Sequence, residues 1–136
     1  MPTDIFPASV AVRVGAFTGS TGTEIPVFVA PTDIKILGVD LVDITGVTGH
    51  TANYGTATLY NRGLTGSGTT SVAARSTNVA TTGTITAKKA WPITLSGTSA
   101  NLRLTDGQAL AFTWTEAGTG QDLGGATLSV HYAIGT

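Results

Sequence analysis

The chain has 136 residues, a net charge of -1 and no cysteine, and only 11% of its residues are charged, against roughly 25% in ordinary soluble proteins. The missing cysteines exclude disulfides, thiol catalysis and cysteine-based metal sites, and so small a net charge provides no field to attract nucleic acid. Threonine is the most frequent residue and glycine follows with 18 copies, a composition typical of threonine-rich strands joined by tight turns.

The N-terminal segment, residues 1–8, is predicted to be an extended arm, with a frayed terminus as the alternative. It contains two prolines and an isolated Ile5-Phe6 pair, and regular alternation of apolar and polar residues begins only at Ser9. Residues 9–136 are therefore expected to form one β-sandwich domain, long enough to bury about two-thirds of its unfolded surface. The segment lacks the basic start and apolar run of a signal peptide or membrane helix, so we expect synthesis in the cytoplasm and no membrane partner.

Three strands are predicted in the first third of the chain. Ser9 to Phe17 alternates valines with polar or small residues, and Glu24 to Ala30 follows as the second strand. Within that second strand Pro26 indicates an edge position or a strand end, because proline donates no hydrogen bond to a neighbour. The third strand, Asp33 to Ile44, changes the phase of its alternation near Gly38, as a β-bulge would require.

The middle of the chain gives weaker patterns. Tyr54 to Asn61 is predicted to be a strand whose core side stays open, and its tyrosine and threonine side is a candidate subunit interface. That candidate interface comprises Tyr54, Thr56, Thr58 and Tyr60. From residue 62 to residue 84 we expect long loops and one short strand near Val72, because few large apolar residues occur there.

Four alternating runs between Trp91 and Ile134 predict the densest part of the core. Their inward residues are Trp91, Ile93, Leu95, Leu102, Leu104, Leu110, Phe112, Trp114, Leu128, Val130, Tyr132 and Ile134. The connection from Ser96 to Asn101 is expected to bring Leu95 opposite Leu102. A three-residue turn ending at a left-handed Gly107 would pair Leu102 with Leu110, unless those two strands lie in different sheets.

A ten-residue loop, Glu116 to Gly125, is expected between the last two strands. The residues in it with side chains or turns suited to contacting a partner are Glu116, Gly118, Gln121 and Asp122. It is not followed by the helix that a dinucleotide-binding motif needs, and residues 63–68 lack the Lys-Ser/Thr pair of a phosphate-binding loop. Both glycine-rich segments are therefore interpreted as turns or contact loops, and we expect no cofactor.

The sequence offers few residues for catalysis or metal binding. His50 lies in a glycine-threonine loop and His131 is expected to face outward from the last strand, with no third ligand at suitable spacing. Asp40 and Asp43 are three apart in a strand, so they are expected to face opposite sides. The lysine pair Lys88-Lys89 precedes a core residue and is interpreted either as a contact for an acidic patch on a partner or as a solvated strand end.

The run AWPITLSGTSANLRLTDGQALAFTWTEAGTGQDLGGATLSVHYAIG carries a resemblance to a known family. Its W-x-I-x-L run, N-L-x-L strand, D-G turn and W-T-E-A-G-T-G loop resemble the end of small Gly/Thr-rich virion proteins of tailed bacteriophages, the head decoration or cement proteins. The resemblance covers the last third of the chain, and the rest matches in composition. It implies a jelly-roll-like sandwich without enzymatic activity.

The same resemblance implies a homotrimer that sits on the outer surface of the capsid and clamps neighbouring subunits of the major coat protein. The residues of the arm are then candidates for contact with the coat: Pro2, Thr3, Asp4, Ile5, Phe6 and Pro7. The main alternative is a phage tail, spike or receptor-binding module that contacts host glycan. A carbohydrate-binding module would need an exposed aromatic platform, and an enzyme would need Asp40, Asp43 and His50 in one pocket.

Overall fold

A computed structural model describes residues 6–18 and 24–134 and contains two antiparallel β-sheets. The strands are β1 (Phe6–Phe17), β2 (Glu24–Val29), β3 (Ile34–Asp43), β4 (Tyr54–Gly63), β5 (Thr70–Ser76), β6 (Trp91–Pro92), β7 (Arg103–Leu104), β8 (Ala109–Ala117) and β9 (Leu123–Ile134). A short 3-10 helix, Ser99–Leu102, precedes β7. The predicted antiparallel β-sandwich is confirmed.

The strand order is that of a jelly roll. The first sheet has the order β1-β9-β3-β6, with β7 also paired to β3, and the second has the order β2-β8-β4-β5. The two short strands β6 and β7 together occupy the place of one strand, so each sheet has four strand positions. From β1 to β4, consecutive strands alternate between the two sheets. Two four-stranded sheets connected in this way form a double Greek key.

The core lies between the sheets and is built from the inward side of every long strand. Its largest fully buried side chains include Ile36 and Leu41 of β3, Leu128 of β9, and Phe112 and Trp114 of β8. Phe17 meets Phe112 edge to face with ring centroids 5.6 Å apart. Each such side chain contributes about 1.5–3 kcal/mol through burial, so apolar packing dominates the stability of a chain with so few charges.

The phase change predicted at Gly38 is confirmed. The pairing of β3 with β9 shifts register between Ile36 and Gly38, and both Ile36 and Val39 are buried although they are three residues apart. Leu37 lies in the bulge and is exposed. One extra residue therefore lets a ten-residue strand keep the core side apolar on both halves.

The edge position predicted from Pro26 is also confirmed, because among the described strands β2 lies at the end of its sheet and pairs with β8 alone. Simple alternation would put Val27 and Val29 on the same side of β2, but Val27 is buried whereas the side chain of Val29 is 60% exposed. The register of β2 against β8 shifts between Pro26 and Phe28. The side chains after this shift therefore face the opposite side from the one that simple alternation would give them. Phe28 instead packs on Tyr132 of the other sheet, with centroids 5.1 Å apart.

The core side of β4, which the sequence leaves open, is the side of Ala57 and Leu59, both fully buried. The opposite side faces away from the first sheet. A central position explains the weak pattern, because β4 pairs with β5 on one edge and β8 on the other and its small residues are shielded by their neighbours. The short strand expected near Val72 is β5, and Val72 is fully buried.

The pairings predicted for Leu102 are wrong. Leu95 forms a bridge with Ala73 of β5 in the second sheet, whereas Leu104 pairs with Ile34 of β3 in the first. Strands β7 and β8 lie in different sheets, the alternative that the sequence leaves open. Gly107 is left-handed as expected, with φ of 87°, but it turns the chain across the core rather than into a hairpin.

Two boundaries differ from the predictions. The loop between β8 and β9 is five residues shorter than expected, because Glu116 and Ala117 pair with Gly55 and Tyr54 and Leu123 already pairs with Phe17. Strand β1 begins at Phe6 and not at Ser9, since residues 6 to 8 continue the ladder to β9. Proline is tolerated there because β1 is an edge strand. Residues 1–5 of the expected arm lie outside the described residues.

Candidate interaction surfaces

The four candidate interface residues of β4 share the outer side of the second sheet. Thr58 lies opposite Thr113 of β8, and Thr56 lies opposite Thr115, so threonines form rows across the strands. We call this outer surface the threonine face. Its members are Tyr54, Thr56, Thr58 and Tyr60 of β4, Ala111, Thr113 and Thr115 of β8, and Ser71, Ala74 and Ser76 of β5.

The side chains of the threonine face are densely packed. Thr58 is 9% exposed and Thr113 is 8% exposed, although no second layer covers them within the described chain. Their neighbours on adjacent strands shield them, because cross-strand side chains lie about 5 Å apart. The large inward residues dominate the sequence pattern of β8, so the pattern does not single out its members on this face. The same alternation nevertheless places Ala111, Thr113 and Thr115 here.

The charges on the threonine face neutralise one another. Glu24 of β2 and Arg62 of β4 form an ion pair at its rim, in which Arg62 Nε donates to Glu24 Oε1 at 2.7 Å. The Arg62 guanidinium also lies 4.6 Å from the centre of the Tyr60 ring. Because the two opposite charges are paired with each other, covering the threonine face with another protein would not bury an unpaired charge.

The outer side of the first sheet has a different character. Register places charged or titratable side chains along it, and these are Arg13, Lys35, Asp40, Arg103 and His131. Asp40 and His131 lie 3.1 Å apart between Oδ2 and Nε2. Covering this surface would remove several charged groups from water, which costs free energy. The threonine face is therefore the better candidate for a contact with another protein.

The loop candidates between β8 and β9 are partly used inside the molecule. The Gln121 carbonyl accepts a hydrogen bond from Trp114 Nε1 at 3.0 Å, and its side-chain Oε1 accepts one from the Thr48 amide at 3.1 Å. Gly118 is left-handed, with φ of 63°, and a side chain there would collide with Asn53. Asp122 and Gly118 are exposed, so these two residues are the ones that the fold presents to solvent.

Glu116 stands next to Asp122 at the base of that loop. Burial and the neighbouring Asp122 carboxylate both raise the pKa of the Glu116 carboxyl. Its Oε2 is buried without a hydrogen-bond partner among the described residues. The contact between Glu116 and Asp122 is therefore sensitive to pH. The fold favours the protonated form of the Glu116 carboxyl over its charged form.

The candidate catalytic residues are not brought together. Asp40 faces outward and Asp43 inward, as predicted, and Asp43 is fully buried. Its carboxylate accepts hydrogen bonds from the amides of Gly46 and Gly125 at 2.9 and 3.0 Å, so it fixes the turn after β3. His50 Nδ1 accepts from the amides of Ala52 and Asn53. The Asp43 carboxylate and the His50 ring therefore satisfy nearby backbone amides.

Within residues 6–18 and 24–134 no three histidine, aspartate or glutamate side chains are grouped so as to hold a metal ion. In the same part of the chain no helix has the length and apolarity needed to span a bilayer. Both tryptophans are core residues as predicted, with Trp91 4% and Trp114 1% exposed. The described surface therefore offers no tryptophan for stacking on a sugar.

No protein-family model and no curated protein sequence matches the chain. Among solved structures, a chain of the cyanophage Pam1 capsid asymmetric unit matches with a TM-score of 0.52 and 21% identity, over 97% of this chain and 86% of that chain. The two chains share a fold. It is a fold used in a phage capsid.

Two chains of infectious bursal disease virus also match over most of this chain. One belongs to the structure of the Gx strain, with a TM-score of 0.48, 18% identity and coverage of 98%. The other belongs to the VP2 subviral particle, with a TM-score of 0.46, 20% identity and coverage of 95%. In both cases this chain spans 33% of the length of the viral chain.

Proposed function

We propose that this protein is a structural, non-enzymatic component of a bacteriophage virion. More closely, we propose a decoration or cement protein that binds the outer surface of the head as a homotrimer and contacts the major coat protein. The observation that carries the proposal is the neutral threonine face on a jelly roll whose fold also occurs in a cyanophage capsid. The resemblance of the C-terminal third to phage decoration proteins supports the same assignment.

A cement protein needs contact surface and no chemistry. It stabilises a shell by binding across neighbouring coat subunits, so that opening the shell requires the separation of those contacts. A stable protein interface buries about 800 Å² on each partner. In the proposed arrangement the threonine face packs against a neighbouring copy within the trimer, because its charges are paired internally. The ends of the sandwich then remain available for the coat.

Location in the particle tests the proposed function. An epitope tag after Thr136 would be imaged on purified virions by electron microscopy, and the native mass of the isolated protein would be measured in parallel. Labels distributed over the head and the mass of three chains support the proposal. Labels confined to the tail would instead assign the protein to a tail, spike or receptor-binding module, and no label on particles would refute a virion role.

The arm gives a second prediction. Removing residues 1–5 leaves Phe6 and Pro7, which pair with Ile134 and Ala133 in the described structure, so the fold should keep its melting temperature. If the arm contacts the coat, this deletion should abolish loading onto heads that lack the protein. The matched control removes residues 135–136, which follow Ile134, the partner of Phe6, in the sequence. Normal loading of the arm deletion would contradict the assignment of Pro2, Thr3, Asp4 and Ile5.

A further inference from the structure

The chain forms a pocket where it crosses from one sheet to the other. Trp91 and Pro92 pair with β3 of the first sheet, but Leu95 pairs with Ala73 of β5 in the second. Two further hydrogen bonds, from the amides of Ala74 and Ser96, join β5 to the crossing segment. Beyond this point the segment and β5 diverge, and a pocket of about 360 Å³ lies between them. That volume falls at the lower end of the range for ligand sites.

Arg75 is the central residue of the pocket. Its register opposite Ala57, a core residue, places it on the inward side of β5, where a cation is unusual. The guanidinium lies 4.5 Å from the centre of the Trp91 ring, and its Nη1 donates to the Pro92 carbonyl at 2.8 Å. These two contacts fix the plane of the group. Its other N–H donors find no acceptor among the described residues.

The pocket offers hydrogen-bond donors and no carboxylate. Lys89, Thr84 and Thr86 complete its polar lining. The Thr84 oxygen accepts from the Gly49 amide at 2.9 Å, which leaves its O–H able to donate. In the described chain neither Arg75 nor Lys89 lies within 4.0 Å of a carboxylate. Trp91 also lines the pocket, and its buried indole N–H has no acceptor among the described residues. Two cations are thus placed together without a counter-charge.

The chemistry that complements this pocket is a carboxylate. A planar guanidinium of fixed orientation matches the two oxygens of a carboxylate group, and an ammonium beside it adds a second charge-assisted contact. Stacking of a nucleobase or a sugar is disfavoured, because Trp91 is buried and its ring is already covered by Arg75. The position at the edge of the sandwich lets the side chain of another protein enter.

We propose that this basic corner pocket binds an aspartate or glutamate side chain of the coat protein. The identity of the partner rests on the proposed function, whereas the carboxylate chemistry rests on the pocket alone. The proposal selects the partner-contact interpretation of the Lys88-Lys89 pair and gives Arg75 the larger role. Since the cations lie at a rim open to solvent, binding should weaken as salt is raised.

The first test uses the isolated protein and the two indole N–H signals in a nitrogen-edited NMR spectrum. The probe is a tetraglutamate peptide blocked at both ends, with tetraglutamine as the neutral control and inorganic phosphate as the competing oxyanion. The Trp91 signal should shift saturably with tetraglutamate, while the signal of Trp114, which donates to Gln121, should stay in place. A shift with tetraglutamine, tighter binding of phosphate or an unmoved Trp91 signal would overturn the proposal.

Matched variants assign the effect to the pocket. Lys89→Gln should weaken tetraglutamate binding about tenfold, the loss expected for one charge-assisted contact. Lys35→Gln removes the same charge from the outer side of the first sheet and should leave binding unchanged. Arg75→Lys keeps the positive charge but removes the planar guanidinium that can contact both carboxylate oxygens, so it should also weaken tetraglutamate binding. The Trp114 signal reports whether this variant is still folded. Equal binding by Lys89→Gln and wild type would overturn the proposal.

Loading onto heads that lack the protein then separates the two proposals. If the wild type loads and Lys89→Gln loads less well than Lys35→Gln, the pocket is a coat contact. If all three load equally, the pocket proposal is wrong and the proposed function stands. If the wild type does not load at all, the proposed function is wrong and the coat protein is excluded as the partner, while the peptide titration still decides the chemistry of the pocket.

Discussion

Single polar residues that suggest chemistry in the sequence have structural roles in the fold. The Asp43 carboxylate satisfies two backbone amides and the Thr45 hydroxyl at the end of β3. The His50 ring nitrogen satisfies two amides of its own loop. A chain with many tight turns has many backbone groups without strand partners, and the scarce carboxylates and imidazoles satisfy them. Among the described residues, Arg75 and Lys89 have hydrogen-bonding capacity that no carboxylate meets, and the buried Trp91 N–H and Glu116 Oε2 also lack partners.

The Glu116 carboxyl gives a prediction at the same scale. Its pKa is raised in the folded chain above the usual 4.5, so the fold binds this proton more tightly than the unfolded chain does. Stability is therefore greatest below the unfolded pKa and falls as the pH rises through the folded pKa. Glu116→Gln should raise the melting temperature at pH 7 by about 2 °C, the scale of a small change in a domain of this size, and leave it unchanged near pH 4.

Melting curves between pH 4 and pH 8 by circular dichroism measure this difference. Glu24→Gln is the matched control, because it neutralises a carboxylate that is paired with Arg62 and should not raise the melting temperature at any pH. An equal gain for Glu116→Gln at pH 4 and pH 7 would show that the effect does not come from the charge of Glu116.

At the scale of strands, bulges and close contacts decide which residues face the core. The bulge at Gly38 is visible in the sequence because both halves of β3 are strongly apolar. The bulge between Pro26 and Phe28 is not, since β2 is short and its two sides are similarly apolar. The core side of β4 depends on a neighbour: Gly55 leaves room for the ring of Trp114 from β8, and a Cβ atom at Gly55 would overlap that ring.

This contact predicts a strong effect of Gly55→Ala. The ring of Trp114 is buried and its N–H is held by Gln121, so it has no space into which to move. We expect a loss of about 3 kcal/mol or more in the free energy of unfolding, at the upper end of overpacking costs. Urea unfolding followed by tryptophan fluorescence measures it. Gly97→Ala, where an added Cβ meets no atom within 4 Å, should change stability by less than about 0.5 kcal/mol. Similar stabilities for the two variants would contradict this packing.

At the scale of the whole molecule, the jelly roll separates its surfaces by chemistry. The outer side of the first sheet carries several charged side chains, and the threonine face carries one internal ion pair at its rim. Self-association through the threonine face would bury many small polar groups that can hydrogen-bond across strands or to trapped water. This asymmetry is the reason for assigning the subunit contact to one sheet.

Thr115→Lys tests that assignment. Thr115 is exposed on the threonine face, so a lysine there should leave the monomer folded but place an unpaired charge in the proposed subunit contact. We expect the proposed trimer to dissociate at concentrations at least tenfold higher than for the wild type, as measured by analytical ultracentrifugation. Ala11→Lys, exposed on β1 at the other sheet, should leave the association unchanged. Dissociation by Ala11→Lys alone would move the contact to the first sheet.

The amino-acid pattern predicts the all-β class, the inward sides of the long strands and the burial of both tryptophans, and Pro26 indicates an edge position or a strand end for β2. These properties depend on alternation within a strand or on one residue such as Pro26, so nearby residues suffice to predict them. The three-dimensional fold is needed to see that β6 and β7 join β3, that the segment after β6 crosses to β5, and that Arg75 contacts Trp91. Alternation fixes the side on which a residue lies but carries no information about its partner strand, and for short strands the pairing depends on residues far away in the chain.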